Sequence, residues 1–301
     1  MRIIEEFEPE IYESVSTLKK DILKLQQKYL RASKEIRSSC PACACNDYGF
    51  AFDKEGFHFV ECLNCSSLYV QNPLDKNSFP LYQSELKTSL YSKEVQEELL
   101  EASKKRVNSF EFSISRRLNV KQELSIAYYG RYKPLIELLQ ERFSHLNIEA
   151  FDTEKRDHYD LVLFDSILGN FKDPGTALSV VKDSLKDDGY LLLSSRLGSG
   201  IDVLLLGSRS NVIPTENLNL FSIEGIQEML KDHFQVLELS TPGVRDISAI
   251  LNTDSEELSP FVRYLQKHRG NDIVPDFQEF VQKNLLSSYL MMVAKKTGAQ
   301  S

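Results

Sequence analysis

Beyond residue 110 the chain alternates between short apolar runs and longer amphipathic stretches. Continuous apolar runs are typical of strands buried on both faces of a parallel sheet, and amphipathic stretches between them are typical of the helices that cover it. Strands are predicted at 123–129, 147–152, 159–165, 190–194, 234–240 and 288–294, and helices at 134–146, 174–185 and 222–233. This alternation predicts an α/β fold with a doubly wound sheet and right-handed crossovers, carrying a helical insert at 241–287.

The N-terminal part of the chain has a different pattern. Apolar residues within 9–36 step by four and three positions, which predicts a helix with one apolar seam, and they are Ile11, Val15, Leu18, Ile22 and Leu25. A helix packed on its own protein is the favoured interpretation, and a coiled coil that forms a homodimer is the alternative. The predicted segments are an N-terminal helix (1–37), a cysteine-containing segment (38–75), a helical connector (76–110) and the α/β domain (111–301).

All five cysteines fall within the second segment. Four of them form two C-x2-C pairs separated by 18 residues, Cys40 with Cys43 and Cys62 with Cys65. Two such turns can bring four thiolates to one centre, which suits tetrahedral Zn²⁺. The intervening residues read as a short hairpin, so the segment is predicted to be a zinc ribbon, a unit too small to fold by apolar burial alone. Cys45 could replace Cys43, although Cys43 keeps the spacing of the second pair.

Composition narrows the possible classes of function. The 301 residues are 42% hydrophobic and carry a formal net charge of −8. That balance argues against a broad nucleic-acid surface, and Lys54 is the only Lys or Arg between Cys40 and Cys65. No apolar run reaches the ~18–20 residues that span a bilayer, and the acidic first residues do not resemble a signal peptide. We therefore expect a cytoplasmic protein that binds neither a membrane nor nucleic acid.

A ribbon followed by this α/β pattern resembles the class I S-adenosylmethionine-dependent methyltransferases that carry an N-terminal zinc-binding module. The likeness covers about 38–297 and rests on three segments in particular: the ribbon exit at 68–73, the strand at 159–165 with the Asp173-Pro174 pair after it, and 219–222, which opens a helix. It implies a Rossmann-like methyltransferase sheet, S-adenosylmethionine as cofactor, and a small substrate of the saccharide or nucleotide-sugar type.

The cofactor motif departs from that family. The family has a glycine-rich turn after its first strand, because glycines let the backbone approach the cofactor. Here the turn reads Leu124-Ser-Ile-Ala-Tyr-Tyr-Gly-Arg-Tyr132, in which Gly130 is the one remaining glycine. The resemblance implies that Gly130 and Asp152, an acid at the end of the second strand, would hold the cofactor. Asp165 ends the third strand, at the edge where such folds bind ligands, and is a third candidate.

Two further departures point the same way. Only six residues, 153–158, separate Asp152 from the next strand, whereas a parallel crossover needs a dozen or more, so one strand unit of the sheet is predicted to be missing. Three family histidines, suited to general-base work near neutral pH, are replaced by Asn170, Asn217 and Tyr289. No general base is therefore identified, although Glu216 is retained beside one of these positions.

Two classes of function remain. The first is an active S-adenosylmethionine-dependent methyltransferase for a saccharide-type substrate, as the resemblance implies. The second is a catalytically inactive, zinc-containing binding or scaffolding protein that keeps the fold and uses the old cleft, or the first helix, to hold a partner. The crowded turn favours the second class slightly, and retention of the cofactor would discriminate between them.

Overall fold

The computed structural model describes residues 16–117, 124–253 and 258–297. Its helices are α1 (Ser16–Tyr29), α2 (Ser78–Leu90), α3 (Lys93–Arg117), α4 (Lys133–Arg142), α5 (Pro174–Ser184), α6 (Ile201–Leu206), α7 (Ile223–Leu230), α8 (Asp246–Leu251), α9 (Pro260–His268) and α10 (Val274–Lys283). Its strands are β1 (Tyr48–Lys54), β2 (Phe57–Cys62), β3 (Leu68–Val70), β4 (Ser125–Tyr129), β5 (Asn147–Ala150), β6 (Tyr159–Asp165), β7 (Leu185–Arg196), β8 (Asn219–Leu220), β9 (Phe234–Ser240) and β10 (Tyr289–Lys296). Within the described ranges, no helix combines the length and the apolarity needed to cross a bilayer.

Six strands form one sheet in the order β5-β4-β6-β7-β10-β9. The first four run parallel to their neighbours, whereas β10 is antiparallel to both β7 and β9. Strand β6 is apolar along most of its length because both of its faces are covered. Leu161 and Leu163 belong to one hydrophobic layer, and Val162 and Phe164 belong to the other. The predicted doubly wound, Rossmann-like sheet is therefore confirmed.

Helices cover both faces of this sheet. Phe110 of α3 and Leu139 of α4 pack in the first layer, which α1 and α2 extend. Val181 of α5 and Leu230 of α7 pack in the second. Helix α3 continues past the predicted end of the connector at 110, because its apolar face continues to Ile114, which is 1% exposed.

The short connection after β5 also agrees with the prediction. Strand β5 lies at one edge of the sheet, and residues 151–158 return to β6 without forming a helix or strand. The connection is held against the body of the protein, since the Asp157 N–H donates to the Asp183 carbonyl at 3.0 Å and the His158 N–H to the Ser184 carbonyl at 2.9 Å. The strand unit that would extend the sheet beyond β5 is therefore absent from the described part of the chain.

Helix α1 packs on its own chain. Leu18 and Ile22 are buried in the first layer, and Leu25 is partly buried against it. The described part of the seam is thus used internally, as the favoured interpretation expects. Ile11 and Val15 lie outside the described residues, and the homodimer stays a prediction.

The N-terminal helix is shorter at its C-terminal end than predicted. It ends at Tyr29 rather than at residue 36, because the following residues run extended beside the exit of the cysteine-containing segment. There the Glu35 N–H donates to the Pro73 carbonyl at 3.0 Å, and the Arg37 N–H donates to the Gln71 carbonyl at 2.8 Å. These backbone bonds satisfy the chain where an α-helix would have used its own carbonyls.

The cysteine-containing segment forms the predicted hairpin and extends it. Strands β1, β2 and β3 pair antiparallel, and β8 from the α/β domain adds a fourth strand through Leu68 opposite Leu220. Sheet hydrogen bonds therefore cross the predicted domain boundary at residue 75. The segment is joined to the larger domain by backbone pairing as well as by side chains.

Candidate functional site

The four cysteines of the two C-x2-C pairs converge on one point. Their sulfur atoms all lie within 4.8 Å of one another. The Cys40 and Cys65 sulfurs are 3.6 Å apart, and those of Cys43 and Cys62 are 3.5 Å apart. A tetrahedral zinc ion with Zn–S bonds of ~2.3 Å requires sulfurs roughly 3.8 Å apart. The donor set and its spacing therefore fit Zn²⁺, with two sulfurs from the turn that precedes β1 and two from the turn at the end of β2.

The two turns that carry these sulfurs have the same backbone design. Each turns back on itself through a residue with positive φ directly after its second cysteine, Ala44 at 58° and Ser66 at 55°. The Ala44 N–H donates to the Cys40 carbonyl at 2.9 Å, and the Ser66 N–H donates to the Cys62 carbonyl at the same distance. Local backbone geometry thus presents the thiols.

This correspondence assigns a place to Cys45. The Cys40 N–H donates to the Cys45 carbonyl at 2.8 Å, as the Cys62 N–H donates to the Ser67 carbonyl at 2.9 Å, so Cys45 is the counterpart of Ser67. Its sulfur accepts a bond from the Asp47 N–H at 3.4 Å and is not part of the four-sulfur cluster. Cys45 closes its turn, and Cys43 faces the other three sulfurs.

The paired sulfurs differ in their acidity. The hydrogen bond between them lowers the pKa of Cys65 to about 5 and raises the pKa of Cys40. A metal ion would displace the proton that the Cys65 thiolate and the Cys40 thiol share, since zinc binds the deprotonated form of each ligand. The second turn is also tied to helix α7, because the Ser222 hydroxyl donates to the Cys65 carbonyl and the Ser222 N–H donates to the Ser67 hydroxyl at 3.1 Å.

The second site lies at the carboxyl ends of β4 and β6, where the resemblance implies a cofactor. Asp165, the last residue of β6, is fully buried there and forms an ion pair with Arg106 of α3, which is 1% exposed. Burial alone would lower the pKa of Arg106, but the Asp165 carboxylate and the neighbouring tyrosines, Tyr289 and Tyr128 among them, together hold that pKa above its usual value. Arg106 is therefore a charged guanidinium in the interior of the protein.

Three hydroxyl groups surround the Asp165 carboxylate as well. Tyr128 donates to it at 2.9 Å, Ser194 at 2.7 Å and Ser166 at 3.2 Å. Burial raises the pKa of Tyr128 well above its usual value, and the nearby carboxylate raises it further, so the phenol keeps its proton and remains a donor. The Asp165 oxygens are thus occupied by groups of the protein itself.

Gly130 serves this arrangement. The side chain of Tyr128 folds back across it, and a Cβ at Gly130 would lie 2.2 Å from the Tyr128 hydroxyl. The one glycine that remains of the family turn therefore makes room for a tyrosine of the same turn. The role implied by the resemblance, contact with a cofactor, stays a prediction.

The neighbouring space, toward β5, is filled by aromatic rings. Tyr129 stacks on Phe151 with ring centroids 4.4 Å apart and also contacts Phe164 at 4.9 Å. Asp152 is exposed beside this stack, and one of its oxygens accepts the Glu154 N–H at 2.9 Å. It lies at the end of β5, as the resemblance requires of an acid that would bind ribose hydroxyls, and that role stays a prediction.

A second buried ion pair lies behind the first. Arg131, which follows Gly130 in the altered glycine turn, pairs with Glu216, which is 2% exposed. The other carboxylate oxygen of Glu216 accepts a 2.5 Å hydrogen bond from the hydroxyl of Tyr82 on α2. Both carboxylate oxygens of Glu216 are therefore engaged by the protein, and this residue connects three segments of the chain.

The residues at the three positions that carry histidine in the family all make contacts within the protein. Asn170 donates to the Glu216 carbonyl, Asn217 accepts the Ile213 N–H at 3.0 Å, and the Tyr289 hydroxyl lies 2.5 Å from the Ser166 hydroxyl. Gly169 stands where the family has a glutamate, and a Cβ there would lie 2.5 Å from the Asn219 carbonyl oxygen. The loop has been repacked around its new residues.

Sequence reasoning missed Arg106. The residue lies on the buried face of α3 with Val107 and Phe110, and a single cation on an otherwise apolar helix face is the signal that would have marked it. Its partner could not be read from the sequence, because Asp165 is 59 residues away and comes from another element.

The two implied cofactors thus fare differently. Zinc fits the four-sulfur cluster by donor type and distance. S-adenosylmethionine does not fit the cleft in this structure, because Arg106, Tyr128 and Tyr129 occupy the space above β4 and β6.

Comparison with known proteins gives distant structural similarities. No protein-family model and no curated protein matches this chain. Among solved structures it is similar to an S-adenosylmethionine-dependent methyltransferase from Archaeoglobus fulgidus (13% identity, 63% of this chain and 94% of the other, TM-score 0.39). It is also similar to a geranyl diphosphate methyltransferase in complex with S-adenosylmethionine (9% identity, 69% and 92%, TM-score 0.40) and to the cyclase SpnF (13% identity, 64% and 81%, TM-score 0.38). Such distant overlaps leave the fold to rest on the strand order, and they carry nothing about substrate.

Proposed function

We propose that this protein is a zinc-containing binding protein built on the class I methyltransferase fold, and that it does not use S-adenosylmethionine. The observation that carries the proposal is the Arg106–Asp165 ion pair at the place where the fold would hold its cofactor. The hydroxyl groups around Asp165 and the aromatic stack at Tyr129 support it, because each fills part of the same space.

The magnitude of the ion pair makes the proposal concrete. Removing one partner from a buried, hydrogen-bonded pair costs ~3–5 kcal/mol, because the other charge is left without compensation. A cofactor that displaced Arg106 would lose that free energy from its binding. An intrinsic Kd near 1 μM corresponds to about −8.2 kcal/mol, so the observed affinity would weaken by a few hundred- to a few thousand-fold.

An active S-adenosylmethionine-dependent methyltransferase is the second candidate, and Asp152 is the observation that favours it. The carboxylate lies exposed at the end of β5, on the side of the sheet edge where a ribose would bind. Two solved structures with similar folds are methyltransferases by name, one of them in complex with S-adenosylmethionine. In that case Arg106 would leave the cleft before the cofactor enters, and a small saccharide-type molecule would be the acceptor.

Calorimetry on the zinc-loaded protein separates the two candidates. The titrants are S-adenosylmethionine and S-adenosylhomocysteine. We expect no saturable heat up to about 0.1 mM, because the free-energy loss above weakens a Kd near 1 μM to roughly 0.16–5 mM. A micromolar Kd would overturn the proposal.

The Asp152→Asn variant is the matched comparison for that titration. If a methyltransferase site is present, the variant should bind the cofactor at least 10-fold more weakly than the unaltered protein, because the carboxylate would hold the ribose. If our proposal holds, the two proteins give the same blank titration and the same melting temperature with and without S-adenosylhomocysteine.

A further inference from the structure

Two adjoining cavities open at the carboxyl end of β7, beside the start of β10. They enclose about 180 and 90 Å³ and share Lys19 and Asn211 in their walls. We call them together the cation cavity, because four basic side chains line it: Lys19, Lys54, Arg196 and Arg245. The cavity adjoins the filled cleft, since Tyr289 lines it and also accepts a hydrogen bond from Arg106.

All three acids in its walls accept hydrogen bonds from the protein, and one of them, Asp202, is also paired with a basic side chain. Asp202 accepts Arg196 at 2.9 Å and the Val203 N–H at 2.7 Å, and also accepts the Ser288 hydroxyl. Its charge is thus neutralised locally, and Arg196 is held in place by the same contact.

Asp246 lines the cavity as well, and both of its carboxylate oxygens accept hydrogen bonds from neutral groups. One oxygen accepts the Ser288 N–H at 2.7 Å, and the other accepts the Ser287 hydroxyl at 2.6 Å and the Gln278 amide at 2.7 Å. The third acid, Glu55, is exposed and accepts the Gln26 amide. The acids therefore organise the walls, while the basic groups supply the charge that faces the space.

The basic side chains come from four separate elements, which is why their convergence is informative. Lys19 lies on α1, Lys54 ends β1, Arg196 ends β7 and Arg245 precedes α8. Burial is the main cause that lowers the pKa of Lys54 to about 8; the Glu55 carboxylate opposes it, and the positive charges of Arg196 and Lys19 add smaller contributions in the same direction as burial. Like charges brought together at a recess favour a negatively charged occupant.

We propose that the cation cavity binds a small dianion, such as a phosphate monoester, with its charged oxygens among Lys19, Lys54 and Arg245. The volume favours a compact molecule, since sites for drug-sized ligands enclose ~300–1,000 Å³. Asn211 and Asn252 at the rim are exposed and can hydrogen-bond the uncharged part of such a molecule. This proposal deepens the proposed function, because it names what a binding protein of this fold would hold.

The test is calorimetry with inorganic phosphate and with glycerol 3-phosphate, each against sodium chloride at equal ionic strength. Saturable binding of either phosphate, with a rise in melting temperature that chloride does not give, is the expected result. Tighter binding of glycerol 3-phosphate assigns a phosphate ester, and equal binding assigns free phosphate. Absence of saturable binding up to about 10 mM for both would overturn the proposal.

Variants locate the site. Lys19→Met and Lys54→Met should each weaken phosphate binding at least 10-fold, because each removes one charge from the cavity wall. Lys24→Met is the matched control, since Lys24 is on α1 as well but its side chain is 78% exposed and lies outside the cavity walls. An equal loss in all three variants would mean general charge screening and would overturn the proposal.

A measurement on the unaltered protein covers the case in which a variant fails to fold. Lysine acetylation followed by mass spectrometry should show that phosphate protects Lys19 and Lys54 at least threefold and leaves Lys24 unprotected. Equal labelling with and without phosphate would contradict the site. These results are independent of the S-adenosylmethionine titration, so a protein that binds both ligands would refute the proposed function and leave this inference standing.

Discussion

The sequence pointed to two sites, the four-cysteine cluster and the cleft at the end of β4 and β6, and the side chains at these two sites are arranged differently. At the four-cysteine cluster, the sulfurs converge on one point, and the backbone geometry of each turn presents them. At the cleft, the sheet edge is kept, but the side chains of Arg106, Tyr128 and Tyr129 fill the space over it. The four sulfurs are thus directed at a shared centre, whereas the polar groups at the cleft are paired with one another.

The difference comes from what each site does for stability. The small core beside the sulfurs consists of Val60 and Tyr69 with the cysteines themselves, whereas other apolar residues of the segment, such as Phe57 and Phe59, are buried in the first layer of the main core. Zinc bound to the four sulfurs would add its binding free energy to the folding of this part of the segment. The cleft contributes nothing to folding when it holds a ligand only transiently, so side chains that fill it add packing and hydrogen bonds.

The largest effect should follow loss of zinc. We expect about one zinc per chain. The Cys62→Ser variant should lose the metal, and its free energy of unfolding should fall by several kcal/mol, because the free energy of binding a structural zinc ion contributes to folding. Metal analysis and thermal unfolding measure both quantities. Cys45→Ser is the matched control and should keep its zinc, since Cys45 is not one of the four clustered sulfurs. A metal-free protein of unchanged stability would contradict the zinc assignment.

Breaking the buried ion pair should have the next largest effect. Arg106→Met is expected to destabilise the protein by ~3–5 kcal/mol, because Asp165 would remain buried and charged without a partner. Adding Asp165→Asn should restore much of that loss, which urea unfolding of the single and double variants measures as a coupling free energy. Lys28→Met serves as the control, since its pair with Glu85 lies at the surface and should leave the unfolding midpoint unchanged. A midpoint shift no larger than that of the control would mean that the cleft is not held closed by this pair.

These two regions also show what the sequence could and could not predict. The zinc ligands follow from spacing alone, because a C-x2-C turn is local and its backbone decides where both sulfurs point. The strands of the α/β sheet follow from apolar runs for the same reason, and the edge position of β5 follows from the six residues left for its connection. Each of these is a property of a short segment.

The contents of the cleft depend on contacts between distant segments. Asp165 was a candidate for cofactor binding because of its position at the end of a strand, and only the tertiary structure shows that Arg106 of α3 reaches it. Glu216 was likewise a candidate for chemistry, and its pairing with Arg131 across 85 residues explains why it is retained. The sequence showed that the glycine turn was altered, whereas the compensating partners came from elements that no local pattern connects.

A substitution at Gly169 tests whether the loop after β6 has room for a side chain at this position. Gly169→Ala should destabilise the protein by ~1–3 kcal/mol, the usual range for overpacking, because a Cβ would lie 2.5 Å from a backbone oxygen, that of Asn219. The control is Gly175→Ala in α5, where the nearest atom, an Asp173 carboxylate oxygen, is 3.5 Å away. That variant should be neutral or slightly stabilising, since alanine favours a helix. Equal unfolding midpoints for the two variants would show that the loop still tolerates the family's larger residue.

The smallest effect concerns pH and the cation cavity beside the cleft. The pKa of Lys54 is lowered from 10.5 to about 8 in the folded protein, chiefly by burial. Between these two values the unfolded chain binds more protons than the folded one, so the contribution of Lys54 to stability rises with pH and is least favourable below pH 8. With solvent screening, the rise between pH 8 and 10 should be of the order of 1 kcal/mol. Urea unfolding of the unaltered protein and of Lys54→Met across that range measures it as a difference, because the tyrosines titrate equally in both. Parallel curves for the two proteins would show that the pKa of Lys54 is not lowered in the folded protein, and hence that its ammonium is not buried in the wall of the cation cavity.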